Sequence, residues 1–291
     1  MEDYNTRVAN YFKIINPIYS VYTDNYISIL QKSLRDQNLK NLESAVIHKD
    51  TKQPIFWLFR FSSFIPVNIP ICFGLITSKT IYGQMFWQVI NQSYNVGFNY
   101  ANKPKNKPAS ENQLINMYSF AVASSCTISG LITHFTKNLY TNNSHITNTL
   151  LRGFIPFTSV FLSSTLNLYF VRQQDFNNGI QLYDDNNNEA GLSKISAVNS
   201  FTETATCRSL FRFASCVIPP LFEYCFMKNT LVESIMKTNP KMWTCFRVLI
   251  ITSCLYISMP LSFAYYPQMM KINDNVELEF KNKPLYYNRG I

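Results

Sequence analysis

Charge is what this chain has least of. Charged residues make up 15% of its 291 positions, against the roughly 25% usual for soluble domains. That deficit argues against an ordinary soluble domain and for a protein of the membrane. Histidine is equally sparse: His48, His134 and His145 are scattered and offer no ligand cluster. None of the cysteines stands in a CxxC or Cys/His spacing, so neither a zinc site nor a disulfide framework is implied. Cys72, Cys126, Cys216, Cys225, Cys245 and Cys254 fall inside apolar runs, where a thiol behaves as a small hydrophobe. There is no Gly-rich phosphate loop, no GxSxG, no HExxH and no carboxylate pair beside a histidine. The sequence therefore gives no ground for an enzyme, a metal or a cofactor. The opening "MEDYNTRVANYF" carries Glu2 and Asp3 and no apolar core, unlike a secretory signal or an amphipathic presequence.

The formal net charge of +9 would suit nucleic acid if the cations shared one face with interleaved aromatics, but they do not. Arg60, Lys79, Lys103, Lys137, Arg152, Arg172, Arg208, Lys228, Lys241 and Lys271 instead bracket apolar runs. Cations so placed snorkel towards anionic headgroups, so the expected partner is an anionic, cardiolipin-like lipid and not nucleic acid. Mean hydropathy is close to zero only because polar and apolar stretches are segregated along the chain. Charge-free runs lie between Arg60 and Lys79, Lys79 and Lys103, Glu111 and Lys137, Arg152 and Arg172, and Arg247 and Lys271. A further run from Ser209 to Met227 is interrupted by Arg212 and Glu223. A bilayer core of about 30 Å takes roughly 20 helical residues to cross. These lengths predict an all-α, polytopic membrane protein, because a helix satisfies its own backbone in lipid.

The expected organisation is a soluble N-terminal segment (1–59), a transmembrane domain (60–266) with a soluble loop at 172–207, and a polar C-terminal tail (267–291). In the first segment a helix is predicted over Asn25–Gln37, after a break at Asn16-Pro17. "FSSFIPVNIPICFGLITS" holds Pro66 and Pro70, which free backbone carbonyls, with Asn68 between them. Ser110 and Gln113 fit a capping box after a basic, proline-containing loop. "SFAVASSCTISGLI" has the small residues that let membrane helices approach closely.

One stretch carries chemistry without charge. In "WQVINQSYNVGFNYAN", Gln88, Asn91, Gln92, Asn95, Asn99 and Asn102 recur at i, i+3, i+4, i+7, i+11 and i+14, one continuous helical face. Such an amide ladder suits a zwitterionic or polyhydroxyl solute in a protein-lined cavity. It also suits interhelical hydrogen bonding, worth about 0.6–2 kcal/mol per residue. Arg212, Glu223 and Arg247 are the intramembrane charges, and such residues often mark function. Arg212 and Glu223 lie too far apart on one helix to pair, whereas Arg247 can meet Glu223 if their helices are antiparallel.

"WQVINQSYNVGFNYANKP" closely resembles the WQWINQSFNAVVNYTNR-like signature of the sideroflexins, mitochondrial inner-membrane proteins once called tricarboxylate carriers. "HKDT" (His48, Asp50, Thr51) is similar to that family's HPDTGE, with Lys49 for its Pro and Lys52 for its Gly. "FIPVN" (Pro66, Asn68) is similar to VPMN. "LNLYFVRQQD" (Asn167, Arg172, Gln173) is similar to INIPLMRQRE, with Tyr169 in place of the helix proline. Asp184 falls in the family's loop, Arg208 follows Cys207 where the family has SR, and "IPP" carries Pro219 and Pro220. "YYPQ" resembles LFPQ and "LYYNRGI" resembles VYFNKGL. Ser164 stands where the family has another Asn. The resemblance implies about five spans, an inner-membrane location and transport of a small, serine-like amino acid linked to one-carbon metabolism. The pathway candidates are Asn68, Gln88, Asn91, Gln92, Asn95, Asn99 and Asn167. With five spans, the amide helix lines the path without crossing fully. The competing expectation is a non-transporting subunit of a larger inner-membrane assembly such as a respiratory complex.

Overall fold

The computed structural model describes residues 2–33, 37–48, 51–78, 80–102, 111–136, 145–186, 188–229, 234, 238–272, 277–281 and 283–290. Lys49, Asp50, Lys79, Lys103, Ser110 and Lys137, among the positions discussed above, lie outside these residues.

Three short helices begin the chain: α1 (Tyr4–Ile14), α2 (Asp24–Ser33) and α3 (Gln37–Val46). Asp3 caps α1, its carboxylate accepting from the Asn5 amide at 3.3 Å. Past Asn16 the chain turns through a 3-10 segment, Pro17–Val21. The helix predicted over Asn25–Gln37 is present over Asp24–Ser33 as α2; residues 34–36 lie outside the described residues, and Gln37 begins α3. The apolar faces of α2 and α3 close a small core of Ile27, Leu42, Ala45, Val46 and Ile47. Buried Arg60 clips this unit to the segment that leads into the long helices. It donates to the carbonyls of Ile55 (2.8 Å) and Tyr22 (2.6 Å) and to the Asp24 carboxylate (2.6 Å).

Among the described residues, six longer helices make up the body: α4 (Phe64–Thr77), α5 (Ile81–Asn102), α6 (Glu111–Thr136), α7 (His145–Val171), α9 (Lys194–Met227) and α10 (Pro240–Phe263). A short α8 (Gln173–Asn178) links α7 to the strands β1 (Ile180–Tyr183) and β2 (Glu189–Ser193). The long helices pack as a ring in the order α4, α5, α6, α7, α9, α10 and back to α4, and α4 also touches α7 and α9. Proline sits inside four of them: Pro70, Pro156, the pair Pro219-Pro220, and Pro260. Pro220 cannot donate to the Cys216 carbonyl, and that carbonyl faces Gly153, where an added Cβ would come within 3.1 Å. A glycine is thus what lets α7 approach the proline break of α9.

Among the described residues, two helical stretches are long and apolar enough to cross a membrane, Gly153–Val171 and Pro240–Phe263. The stretches Phe61–Thr77 and Tyr118–Ile132 are apolar but shorter. The expected count of about five is thus not reached on these criteria. A run free of charge need not be apolar: α5 carries its amides, and α9 carries Arg208, Arg212 and Glu223. At 14 residues α4 rises only about 21 Å. Helix α9 also begins at Lys194, inside the stretch read from the sequence as a soluble loop.

The helical reading also lacked a sheet. Strands β3 (Met269–Lys271) and β4 (Tyr286–Asn288) from the tail join β1 and β2 in an antiparallel sheet of order β2-β1-β4-β3. Its inner face buries Ile180, Leu182, Phe280, Leu285 and Tyr287 against Ala197 of α9. At its hairpin, Asp184 accepts from the amides of Asn186 (2.9 Å) and Asn188 (2.8 Å). The tail is locked at two points. Glu277 reaches the start of α9 and accepts from the Ser193 hydroxyl at 2.6 Å and the Lys194 and Ile195 amides at 2.8 and 3.1 Å. Arg289, 1% exposed, donates to the Cys207 sulfur (3.1 Å) and the Phe263 carbonyl (3.2 Å). Its own carbonyl accepts from Arg172 (2.6 Å) and Ser200 (2.8 Å). Gly290 comes next at φ +73°, with Arg172 Nη2 only 2.8 Å from where a Cβ would be, so both its conformation and its neighbour require glycine.

This architecture sets two expectations. Partial burial works to raise the Glu277 carboxyl, but the donors from Ser193, Ile195 and Lys194 outweigh it and hold the group below its ordinary value of 4.5. A lowered folded-state value contributes stability above the ordinary value that is lost as pH falls through the folded one. Glu277→Gln should lower the melting temperature at pH 7 and flatten its decline below about pH 4.5, read by thermal unfolding at stepped pH. Lys52 is the one non-glycine residue with positive φ among the described residues, at +56°, where the resembled pattern has glycine. Lys52→Gly relieves a left-handed backbone costing an L-residue about 1 kcal/mol, so unfolding should show a gain of up to that amount.

Candidate functional site

The amide face predicted on α5 points into the ring of helices. Gln88, Asn91 and Gln92 are fully buried, and Asn95, Asn99 and Asn102 are partly so. Gln88 Nε2 donates to the Ser159 hydroxyl of α7 at 3.0 Å. Asn95 Nδ2 donates to Asn91 Oδ1 at 3.3 Å, and Asn95 Oδ1 accepts from Arg212 Nη2 of α9 at 3.2 Å. Three helices therefore meet through polar side chains in an otherwise apolar body. Asn102 serves the backbone instead, donating to the carbonyls of Phe59 (3.0 Å) and Phe98 (2.8 Å).

Many of the buried polar atoms have no hydrogen-bond partner: Asn68 Oδ1, Gln88 Oε1, Asn91 Nδ2, both side-chain polar atoms of Gln92, and Asn167 Oδ1. The hydroxyls of Ser125 and Ser129 on α6 are in the same condition. An orphaned buried polar group costs about 1–3 kcal/mol, and native interiors keep few of them. Several of them lie on α4, α5, α6 and α7, and others, such as Ser196, Glu203 and Ser258, lie elsewhere.

Beside this seam, Arg208, Ser209 and Arg212 of α9 face Ser164, Thr165 and Leu168 of α7 across a narrow cleft that is too tight, as it stands, to admit a water molecule. No carboxylate lines it. Ser164, where the resembled pattern has Asn, stands on its wall, so the shorter side chain opens the cleft at that point.

The other sequence-predicted residues are distributed by role. Asn68, buried on α4, donates to the Phe64 carbonyl of its own helix at 2.7 Å, while Pro66 is exposed. Asn167 is buried on the inner side of α7. His48 and Thr51 form a turn in which His48 Nδ1 accepts from the Thr51 amide at 3.3 Å, between the bridged residues Ile47 and Pro54. Arg172 anchors the tail and Asp184 closes the hairpin, while Gln173 is exposed. Pro219 and Pro220 are buried at the break in α9. Arg247 meets Glu223 at 2.7 Å, the pairing foreseen for antiparallel neighbours, and lies apart in sequence from the amide face. No carboxylate is within ion-pair distance of Arg212 among the described residues. Missed from the sequence were Gln84, one turn before Gln88, which caps α4 by donating to the Leu75 (2.9 Å) and Ser78 (2.8 Å) carbonyls, and the serines. Gln84 shares the spacing of the stripe and was legible. Ser159 and Ser163 keep a period of four with Asn167, a weaker signal in a chain rich in serine.

The sideroflexin family model matches residues 1–291, the whole chain. The chain belongs to the sideroflexin family. Among its relatives, the sideroflexin of Dictyostelium discoideum is 31% identical over 263 residues, covering 87% of this chain and 78% of the relative. Human sideroflexin-5 is 30% identical over 260 residues, covering 87% and 74%. Bovine sideroflexin-1 is 25% identical, covering 98% and 93%. No solved structure matches. Of the residues in the sideroflexin motifs, Arg172 and Asp184 serve the sheet and tail, and Gln88, Asn91 and Asn95 stand in the polar seam.

The paired and unpaired amides should differ in what they contribute to stability. Replacing Gln92, whose side-chain polar atoms are both unpaired, by leucine should leave the melting temperature unchanged or higher. Gln88→Leu, which strips the Ser159 hydroxyl of its donor, should cost about 1 kcal/mol. Thermal unfolding of the two purified variants checks the ordering.

Proposed function

We propose that this sideroflexin carries a small, serine-like amino acid across the mitochondrial inner membrane and so feeds one-carbon metabolism. The observation that carries this reading is the group of unpartnered amide atoms buried on α4, α5 and α7 beside a cleft containing Arg212. A solute with both donors and acceptors would satisfy those atoms as it passes, at little cost in selectivity between small polar side chains. In this reading the long helices supply about five crossings, with α5 partly embedded as the lining of the path. The cations at the helix ends hold anionic, cardiolipin-like lipid, and the chemistry is translocation without a catalytic step, a metal or a cofactor.

A second reading, a non-transporting subunit of a larger inner-membrane assembly, draws support from a different place. Ile18, Val21, Tyr26, Phe56 and Trp57 are exposed apolar residues on segments that Arg60 ties together. Such a surface suits a partner protein of the same membrane.

Reconstitution of the purified chain in liposomes with labelled serine tests the first reading. Asn91→Leu and Asn95→Leu should abolish uptake while the protein stays folded, read by its detergent elution volume, with Asn95→Leu melting lower because it leaves Arg212 without its acceptor. Unchanged uptake would remove the amide face from the path. Near-stoichiometric comigration of the chain with a respiratory complex in native electrophoresis, together with inert liposomes, would favour the second reading.

A further inference from the structure

Arg212 is 6% exposed, and its hydrogen-bond acceptor is a neutral amide, Asn95 Oδ1 at 3.2 Å. A guanidinium has five N–H donors and is expensive to bury without an opposite charge. Four other arginines have carboxylate, hydroxyl, sulfur or carbonyl partners, although Arg247 Nε and Arg289 Nε have none, and Arg208 lines the same cleft as Arg212. Arg60 holds Asp24 and backbone carbonyls, Arg247 holds Glu223, Arg172 holds Ser200, Thr204 and the Arg289 carbonyl, and Arg289 holds Cys207 and the Phe263 carbonyl. Arg212 instead looks into the cleft between α7 and α9, which has no carboxylate in its lining. On its α5 side, Asn95 is one turn from Asn91 and Gln92. The Gln92 and Gln88 carbonyl oxygens on that helix are buried and have no donor.

We propose that Arg212 is the carboxylate-binding residue of the transport path, and that Asn95 stands in for the carboxylate while the path is empty. This rests on the transport reading above and deepens it. An incoming carboxylate displaces the Asn95 amide oxygen and takes a fork of two N–H donors, the geometry at which guanidinium exceeds ammonium. The solute's ammonium end then meets the orphaned oxygens of Gln88 and Gln92. A zwitterion therefore satisfies both sets of groups, and an amine or amide lacking the carboxylate satisfies one.

The test is uptake of labelled serine by liposomes containing the full chain, with serinamide, which has no carboxylate, as competitor. In the wild type, serinamide should compete poorly. Arg212→Gln should lower serine uptake roughly 10- to 100-fold, the size of a lost charged hydrogen bond, and abolish the preference for serine over serinamide. Arg212→Lys should fall between, because it keeps the charge and loses the fork. Asn95→Asp is the decisive variant, since it removes no cation. It places a built-in carboxylate on Arg212, so it should raise the melting temperature and cut uptake at least about 10-fold. Wild-type uptake by Asn95→Asp would overturn the assignment of Arg212 and leave the transport reading standing, as would a serine preference kept by Arg212→Gln. If Arg212→Gln does not fold, Asn95→Asp alone decides. Wild-type liposomes that take up neither serine nor another small zwitterion would overturn the transport reading and this assignment together.

Discussion

A polar atom removed from water must find a partner or be paid for in stability, and this constraint organises the chain. The helices that Pro70, Pro219 and Pro260 interrupt carry backbone groups that need a neighbour, and at the break in α9 the glycine at 153 lets α7 come close. Arg60 and Arg172 meet the requirement with carbonyls, hydroxyls and a carboxylate, and Arg247 and Arg289 meet it in part, through a carboxylate, a thiol and a carbonyl, with the Nε of each left unpaired. The amides of α5 meet it in part only, and Asn95 joins their face to Arg212, which lines the cleft between α7 and α9.

The tail is the second organising element. Its strands complete a sheet begun by the hairpin before α9, Glu277 caps that helix, and the Arg289 carbonyl gathers Arg172, Ser200 and Thr204. The start of α9 is thereby fixed in space, and with it the register at which Arg208 and Arg212 present themselves to α7 and α5. The motifs at residues 172–184 and 285–290, far apart in sequence and remote from the amide face, act on the site through this one helix. Sideroflexin-like sequence at the C-terminus is therefore explained by folding rather than by contact with a solute.

Helical character, the inward face of α5 and the Arg247–Glu223 pair were legible from residue types and spacing, because a period of 3.6 and an antiparallel neighbour are local or nearly local facts. The family was legible for another reason: short motifs in a fixed order leave little freedom. The span count was not legible. Freedom from charge was a poor proxy for apolarity where amides and serines fill the runs. The sheet was hidden because its strands are three to five residues long and their partners lie across the whole of α9 and α10.

What the sequence determined by itself was composition on a face: which side of α5 is polar, where glycine and proline relax a helix, and which family's motifs run along the chain. Only the tertiary structure decided which polar atoms are paired. Whether an amide is satisfied depends on residues a hundred positions away. Asn95 with Arg212 and Gln88 with Ser159 meet because the ring closes. Among the described residues nothing pairs with the side-chain polar atoms of Gln92.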